Sequence, residues 1–152
     1  MDVTTKERGW AGHFIGSNRC LFRRNTLITY GDTKWIVSTV GNMRSPIDMP
    51  ELNIKKNQAD TIGYQRWYET MVFESSYDVY DDPDVSKEIH IDSDWGIWGE
   101  TLEEIEKTYG TEIDIVANDM HDRIVEEMKV KIKEVCDAKA SSNVQRADNP
   151  EV

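Results

Sequence analysis

The pair Gly31-Asp32, set between two β-rich runs, constrains the fold of this chain more than any other feature. Residues 19–30 before it are rich in Leu, Phe, Ile, Thr and Tyr, and residues 34–40 (KWIVSTV) follow it. Glycine takes φ > 0 at no steric cost, so Gly-Asp between two such runs reads as a tight hairpin. Two further runs read as strands. Residues 66–74 (RWYETMVFE) set Trp67, Glu69, Met71 and Phe73 on one side. Within residues 87–98, Ile89 and Ile91 alternate with His90 and Asp92. A shorter alternation over residues 10–15 reads as a strand before the hairpin. Residues 41–62, with Pro46 and Pro50, read as a long connection, and residues 77–84 as an acidic turn-rich loop.

Helical signals come late. Residues 101–109 form a short acidic helix candidate stopped by Gly110. A long helix is expected over residues 114–136, where Ala117, Met120, Ile124, Met128 and Ile132 recur every three or four residues. Ile113 and Val135 extend that stripe, and Thr111 and Asp114 are available as caps. The order β-β-β, loop, β, β, α separates few strands by helices. It therefore predicts an α+β fold, an antiparallel sheet with the long C-terminal helix packed on it. At 152 residues one domain is expected, over residues 9–136, with a loose N-terminus at 1–8 and a disordered polar tail at 137–152. One helix covers one sheet face, and five Trp and six Tyr need housing, so the sequence predicts a homo-oligomer in which a second copy buries some aromatic surface.

The charge is uneven. Residues 1–70 hold ten Lys/Arg against seven Asp/Glu, and the remainder eight against 22, within a formal net charge of −11. Such a field repels a polyanion, which argues against direct nucleic-acid binding. A small anion in a local basic pocket is compatible with it, because salt screens charge beyond about 8–10 Å. No apolar stretch approaches membrane length, and no basic leader followed by an apolar run opens the sequence. Cys20 and Cys136 lie far apart without metal spacing and read as two reduced thiols.

Residues 9–25 (GWAGHFIGSNRCLFRRN) concentrate a tryptophan, two phenylalanines, a histidine and three arginines with no Asp or Glu. Cations beside aromatics suit an anion that carries a flat ring, as a nucleotide does. Guanidinium groups grip phosphate bidentately and stack on rings. Arg23, Arg24, Arg44 and Arg66 are the candidate phosphate ligands, with Arg19 nearby. The plainer reading makes them solvated strand residues paired with the acidic half. Arg23 and Arg24 are adjacent, so a regular strand sends them to opposite faces. Phe22, Trp95 and Met120 are candidates to pack on a base, and Asn118 and Arg123, near the start of the long helix with His121, to bind its polar groups. Met120 also fits the core stripe.

Catalytic signatures are lacking. There is no GxSxG, P-loop or GxGxxG, and no cofactor is implied. His90, Asp92 and Asp94 could serve a hydrolase, but a metal site needs three or more convergent ligands. The acidic loop lacks EF-hand spacing.

The segments GWAGHFI, C-x-FRRNTL and STVG, with the later RWYETMVFE, DSDW and NDMHDRIVEEM, resemble small bacteriophage proteins of the Thoeris anti-defence sponge family over about 110 residues. That resemblance implies a non-enzymatic protein of the infected host's cytoplasm that sequesters cyclic ADP-ribose signals made by host TIR-domain proteins. It implies dimers that can join into hexamers, and in some members a second site for cyclic oligonucleotides. A different reading of the acidic second half is a nucleic-acid mimic that inhibits a host defence nuclease.

Overall fold

The computed structural model describes residues 1–9, 18–75, 85–88 and 95–148, with the backbone alone for 85–88 and 145–148. The expected strand at 10–15, the acidic loop at 77–84 and the alternation through His90, Asp92 and Asp94 lie outside the described residues.

The hairpin forms as the turn chemistry demands. β2 (Cys20–Tyr30) and β3 (Thr33–Arg44) pair antiparallel from Tyr30↔Thr33 to Cys20↔Met43. Gly31 takes φ 60°, the first central position of a two-residue turn. Around this hairpin the sheet runs β1-β2-β3-β5-β6, with β4 against β3 and β7 against β5. The remaining strands are β1 (Thr4–Glu7), β4 (Ala59–Asp60), β5 (Arg66–Ser75), β6 (Val85–Glu88) and β7 (Gly96–Trp98). Every pairing is antiparallel. The α+β class is as the sequence predicted.

Two helices close the chain, α1 (Leu102–Tyr109) and α2 (Ile113–Asp148). Thr101 caps α1 by accepting from the Glu104 amide at 3.2 Å, and Gly110 ends it at φ 88°. The stripe of α2 does what its period requires. Ala117, Met120, Ile124, Met128 and Ile132 are buried against Ile28, Trp35, Val37, Tyr68 and Val72 of the sheet. On β2, β3 and β5 the alternate residues form the far face. Ile36, Ser38 and Val40 there are fully buried, and Leu27 and Phe73 nearly so, within the single chain. That stretch of the far face therefore needs no second copy to cover it. Large aromatics left to solvent include Tyr64, Trp98 and Tyr109.

Two boundaries differ from the sequence reading. The segment 1–8 contains β1, which pairs Thr4–Glu7 with Thr29–Thr26 of β2. Its residues are exposed and show no period, so only the partner strand reveals it. The helix also continues past Cys136 to Asp148 instead of giving way to a disordered tail. Residues 137–148 are polar, but they hold neither Gly nor Pro, and Ala, Lys, Gln and Arg favour helix. Residues 137–144 are exposed, so polarity there marks a solvated stretch of helix.

Candidate functional site

β1, β2 and α2 meet at Arg24. Its guanidinium donates to Glu7 at 2.5 Å, to Asp122 at 2.7 Å and to Asn118 Oδ1 at 2.8 Å. Burial works against the Arg24 charge, but the hydrogen bonds to Glu7 and Asp122 outweigh it and raise the pKa. Burial likewise pushes Glu7 up, and the bonds from Arg24 and Thr26 more than reverse it, leaving that carboxyl below the ordinary range.

From Glu7 a chain of hydrogen bonds enters the protein. Thr26 Oγ1 donates to Glu7 at 2.7 Å and lies 2.7 Å from His121 Nε2. His121 Nδ1 lies 2.7 Å from Thr39 Oγ1, which lies 2.6 Å from Thr70 Oγ1. An ionised carboxylate only accepts, so the directions are determined in sequence. The Thr26 proton goes to Glu7, so Thr26 accepts from Nε2–H. A neutral ring then accepts at Nδ1 from the Thr39 hydroxyl, and Thr39 accepts from Thr70. His121 is fully buried, and desolvation first, with Arg24 second, pushes its pKa down to about 4. Both ring nitrogens are committed and unreachable. This histidine ties α2 to β2 and β3 of the sheet.

The other expected arginines have partners of their own. Arg44 donates from Nε to Asn42 Oδ1 at 2.7 Å and from Nη1 to the Asn57 carbonyl at 3.1 Å. Arg66 pairs with Glu69 and lies over the Trp98 ring, 4.4 Å from its centroid. Arg23 stands on the far-face row of Val40 and Glu69, opposite in sense to Arg24, as strand alternation required. Arg24, Arg44 and Arg66 thus close on three different sets of groups in the single chain and do not converge on one phosphate-sized point.

Phe22 meets Tyr68 edge to face, centroids 5.8 Å apart, across Gly41. A Cβ at Gly41 would lie 2.0 Å from the Tyr68 ring, so glycine is what admits the aromatic there. The Tyr68 hydroxyl donates to Asp114 in the first turn of α2, and burial first, then that bond, raises its pKa. Trp95 is half-buried at the edge of the helix-side core, and its carbonyl accepts from Thr70 N at 2.9 Å.

A pocket of about 370 Å³ opens where α1 ends, α2 begins and β7 passes beneath. Gly96, Ile97, Tyr109, Val116, Asp119, Met120 and Arg123 line it. Two of the expected ligand residues, Met120 and Arg123, therefore share one cavity, while Asn118 of the same helix accepts from Arg24 of β2 in the polar network. Met120 is both core and pocket wall: it belongs to the buried cluster under α2 and also lines the cavity. Arg123 and Asp119 are exposed, and neither forms an ion pair among the described residues. Sequence reasoning missed Tyr109, Asp119 and the β7 floor. Only the fold brings the last residue of α1 beside the second turn of α2. A second groove, of about 430 Å³, is lined by Val3, Val130 and charged residues of α2, with neither an aromatic nor an arginine.

The described residues hold no group of three His, Cys, Asp or Glu able to bind a metal. Both cysteines are free; burial raises the Cys20 thiol to about 11, and Cys136 donates to Thr33 Oγ1 at 3.3 Å. No helix among the described residues is long and apolar enough to cross a membrane. No protein-family model, curated protein or solved structure matches this chain.

Proposed function

We propose that this chain binds and sequesters, without transforming it, a small nucleotide signal of the cyclic ADP-ribose type, and so acts as a phage-encoded sponge against host defence in the cytoplasm of the infected cell. The observation that carries the reading is the α1–α2 pocket. Its 370 Å³ fall at the lower end of the range for drug-sized ligands. Met120 and Tyr109 offer faces to a base, Ile97 and Val116 an apolar floor, and Arg123, which forms no ion pair among the described residues, a guanidinium for phosphate. The sequence resemblance implies the same chemistry. In the proposed dimer, which the resemblance implies can join into hexamers, a second copy would enclose the open side of the pocket. A strict monomer by size exclusion with light scattering at micromolar concentration removes that part.

Calorimetric titration with cyclic ADP-ribose isomers tests the binding. A Kd below about 10 µM, weakened at least tenfold by Arg123→Ala, is expected. No binding at that level by any isomer defeats the proposal.

One observation favours a second reading. Residues 100–127 carry ten exposed Asp/Glu against Lys107 and Arg123, which makes the helical layer strongly acidic. A nucleic-acid mimic that inhibits a host defence nuclease would use such a layer. Salt-sensitive capture of a basic host protein, retained in Arg123→Ala, is its signature.

A further inference from the structure

Asp119 and Arg123 stand one helical turn apart on α2, and both line the α1–α2 pocket. An acid four residues before a base on a helix is the arrangement that pairs most readily, with Cβ atoms about 5–6 Å apart. These two do not pair. Nearby, Asp122 is spent on Arg24 at 2.7 Å, while Asp119 has no such partner among the described residues. The cavity thus holds one group that only accepts hydrogen bonds and one that only donates them, about a turn apart, beside the Tyr109 ring and an apolar floor.

A phosphate alone does not fit that pair, because Asp119 would repel it. A bare apolar ring leaves both charges without partners. The complementary molecule presents two hydroxyl donors at one end and an anion at the other. In a ribose 5′-phosphate the vicinal diol and the phosphate lie on opposite sides of the furanose, a separation on the order of the ~5.4 Å helical pitch. We infer that Asp119 is the specificity residue of this pocket: its carboxylate accepts from the free vicinal diol of a ribose while Arg123 holds the phosphate, so the site selects ribonucleotides over deoxyribonucleotides. The inference rests on the nucleotide-binding reading and goes beyond it by naming the sugar and the residue that reads it.

The test compares cyclic ADP-ribose with an analogue lacking the hydroxyls of one ribose, on wild type, Asp119→Asn and Arg123→Ala. Asp119 is exposed, so unchanged melting temperatures are expected and serve as the folding control. Wild type should prefer the intact diol by roughly tenfold to a hundredfold, the scale of hydrogen bonds to a charged acceptor. Asp119→Asn should abolish most of that preference by weakening the intact ligand, and should bind the deoxy analogue as well as wild type or better, because a charge near the phosphate is gone. Arg123→Ala should weaken both ligands alike and leave the ratio in place. Equal binding of the two ligands by wild type, or an undiminished preference in Asp119→Asn, overturns this inference and leaves the nucleotide-binding reading standing. Failure of wild type to bind cyclic ADP-ribose overturns both.

Discussion

Acidification should cost this fold about 3 kcal/mol through one buried imidazole. His121 is ordinarily half-protonated near pH 6.5, and in the fold it is held at about 4. At about 1.4 kcal/mol per tenfold change in proton affinity, that difference corresponds to about 3 kcal/mol. The sign follows from which state takes the proton. Above pH 6.5 the ring is neutral folded or unfolded, and its contribution is fully present. Between 6.5 and 4 the unfolded chain binds a proton that the folded chain refuses, so stability falls as the pH falls. Below 4 the loss is complete. The groups facing the ring are Glu7 on β1, Arg24 on β2, and Asp122 on α2 itself. Desolvation and Arg24 oppose protonation, while Glu7 and Asp122 favour it less strongly. Glu7 adds its own loss at lower pH, because its carboxyl is held below the usual range. Urea unfolding followed by tryptophan fluorescence at pH 7.5, 6.5, 5.5 and 4.5 measures the effect, with His121→Gln as the comparison. The variant starts less stable, since it breaks the Thr26–His121–Thr39 chain, but it lacks the titration. Carboxylates elsewhere titrate alike in both proteins and cancel in the difference. Wild type should therefore lose about 2–3 kcal/mol more than the variant between pH 6.5 and 4.5. Parallel curves would show that His121 is not held neutral by the fold.

Two further outcomes follow from packing. Gly41→Ala places a Cβ 2.0 Å from the Tyr68 ring and should destabilise by about 2–3 kcal/mol or more; Tyr68→Ala in the same chain should cost less than in wild type, a coupling read from urea midpoints in a double-mutant cycle. A chain ending at Asp137 should keep its unfolding midpoint while losing helical signal at 222 nm, because residues 138–144 of α2 are all exposed, and a large drop in midpoint would contradict this.

What could be read from the sequence was what local chemistry encodes. Gly31-Asp32 names its own turn, and the register of β2 against β3 follows from it. The recurrence from Ala117 to Ile132 names the buried face of α2, since a helix packed on a sheet buries one stripe. The opposite orientation of Arg23 and Arg24 needed only the period of a strand. Other features depend on contacts between distant segments. β1 has no pattern of its own and exists through β2. Arg24 looked like a phosphate ligand until Glu7, Asn118 and Asp122 arrived from two other elements to take it. Arg44 and Arg66 were claimed in the same way by Asn42, Asn57, Glu69 and Trp98. His121 looked like part of an anion site, and it is a buried link between three threonines and a glutamate. Asp119 and Tyr109 became pocket residues only through the corner between α1 and α2. The tail after Cys136 was misread for a different reason: its composition is polar, and a helix whose residues 138–144 are all exposed resembles a disordered segment when burial is the only guide.

The central claim is that this chain holds a nucleotide signal and returns it unchanged. Incubating the protein with cyclic ADP-ribose isomers, removing unbound ligand by filtration, denaturing by heat and identifying the released molecule by mass spectrometry tests it most directly. The account predicts recovery of the intact cyclic molecule in proportion to protein, and its loss in Arg123→Ala. A linear or hydrolysed product, or a filtrate that contains all the ligand supplied, would contradict it.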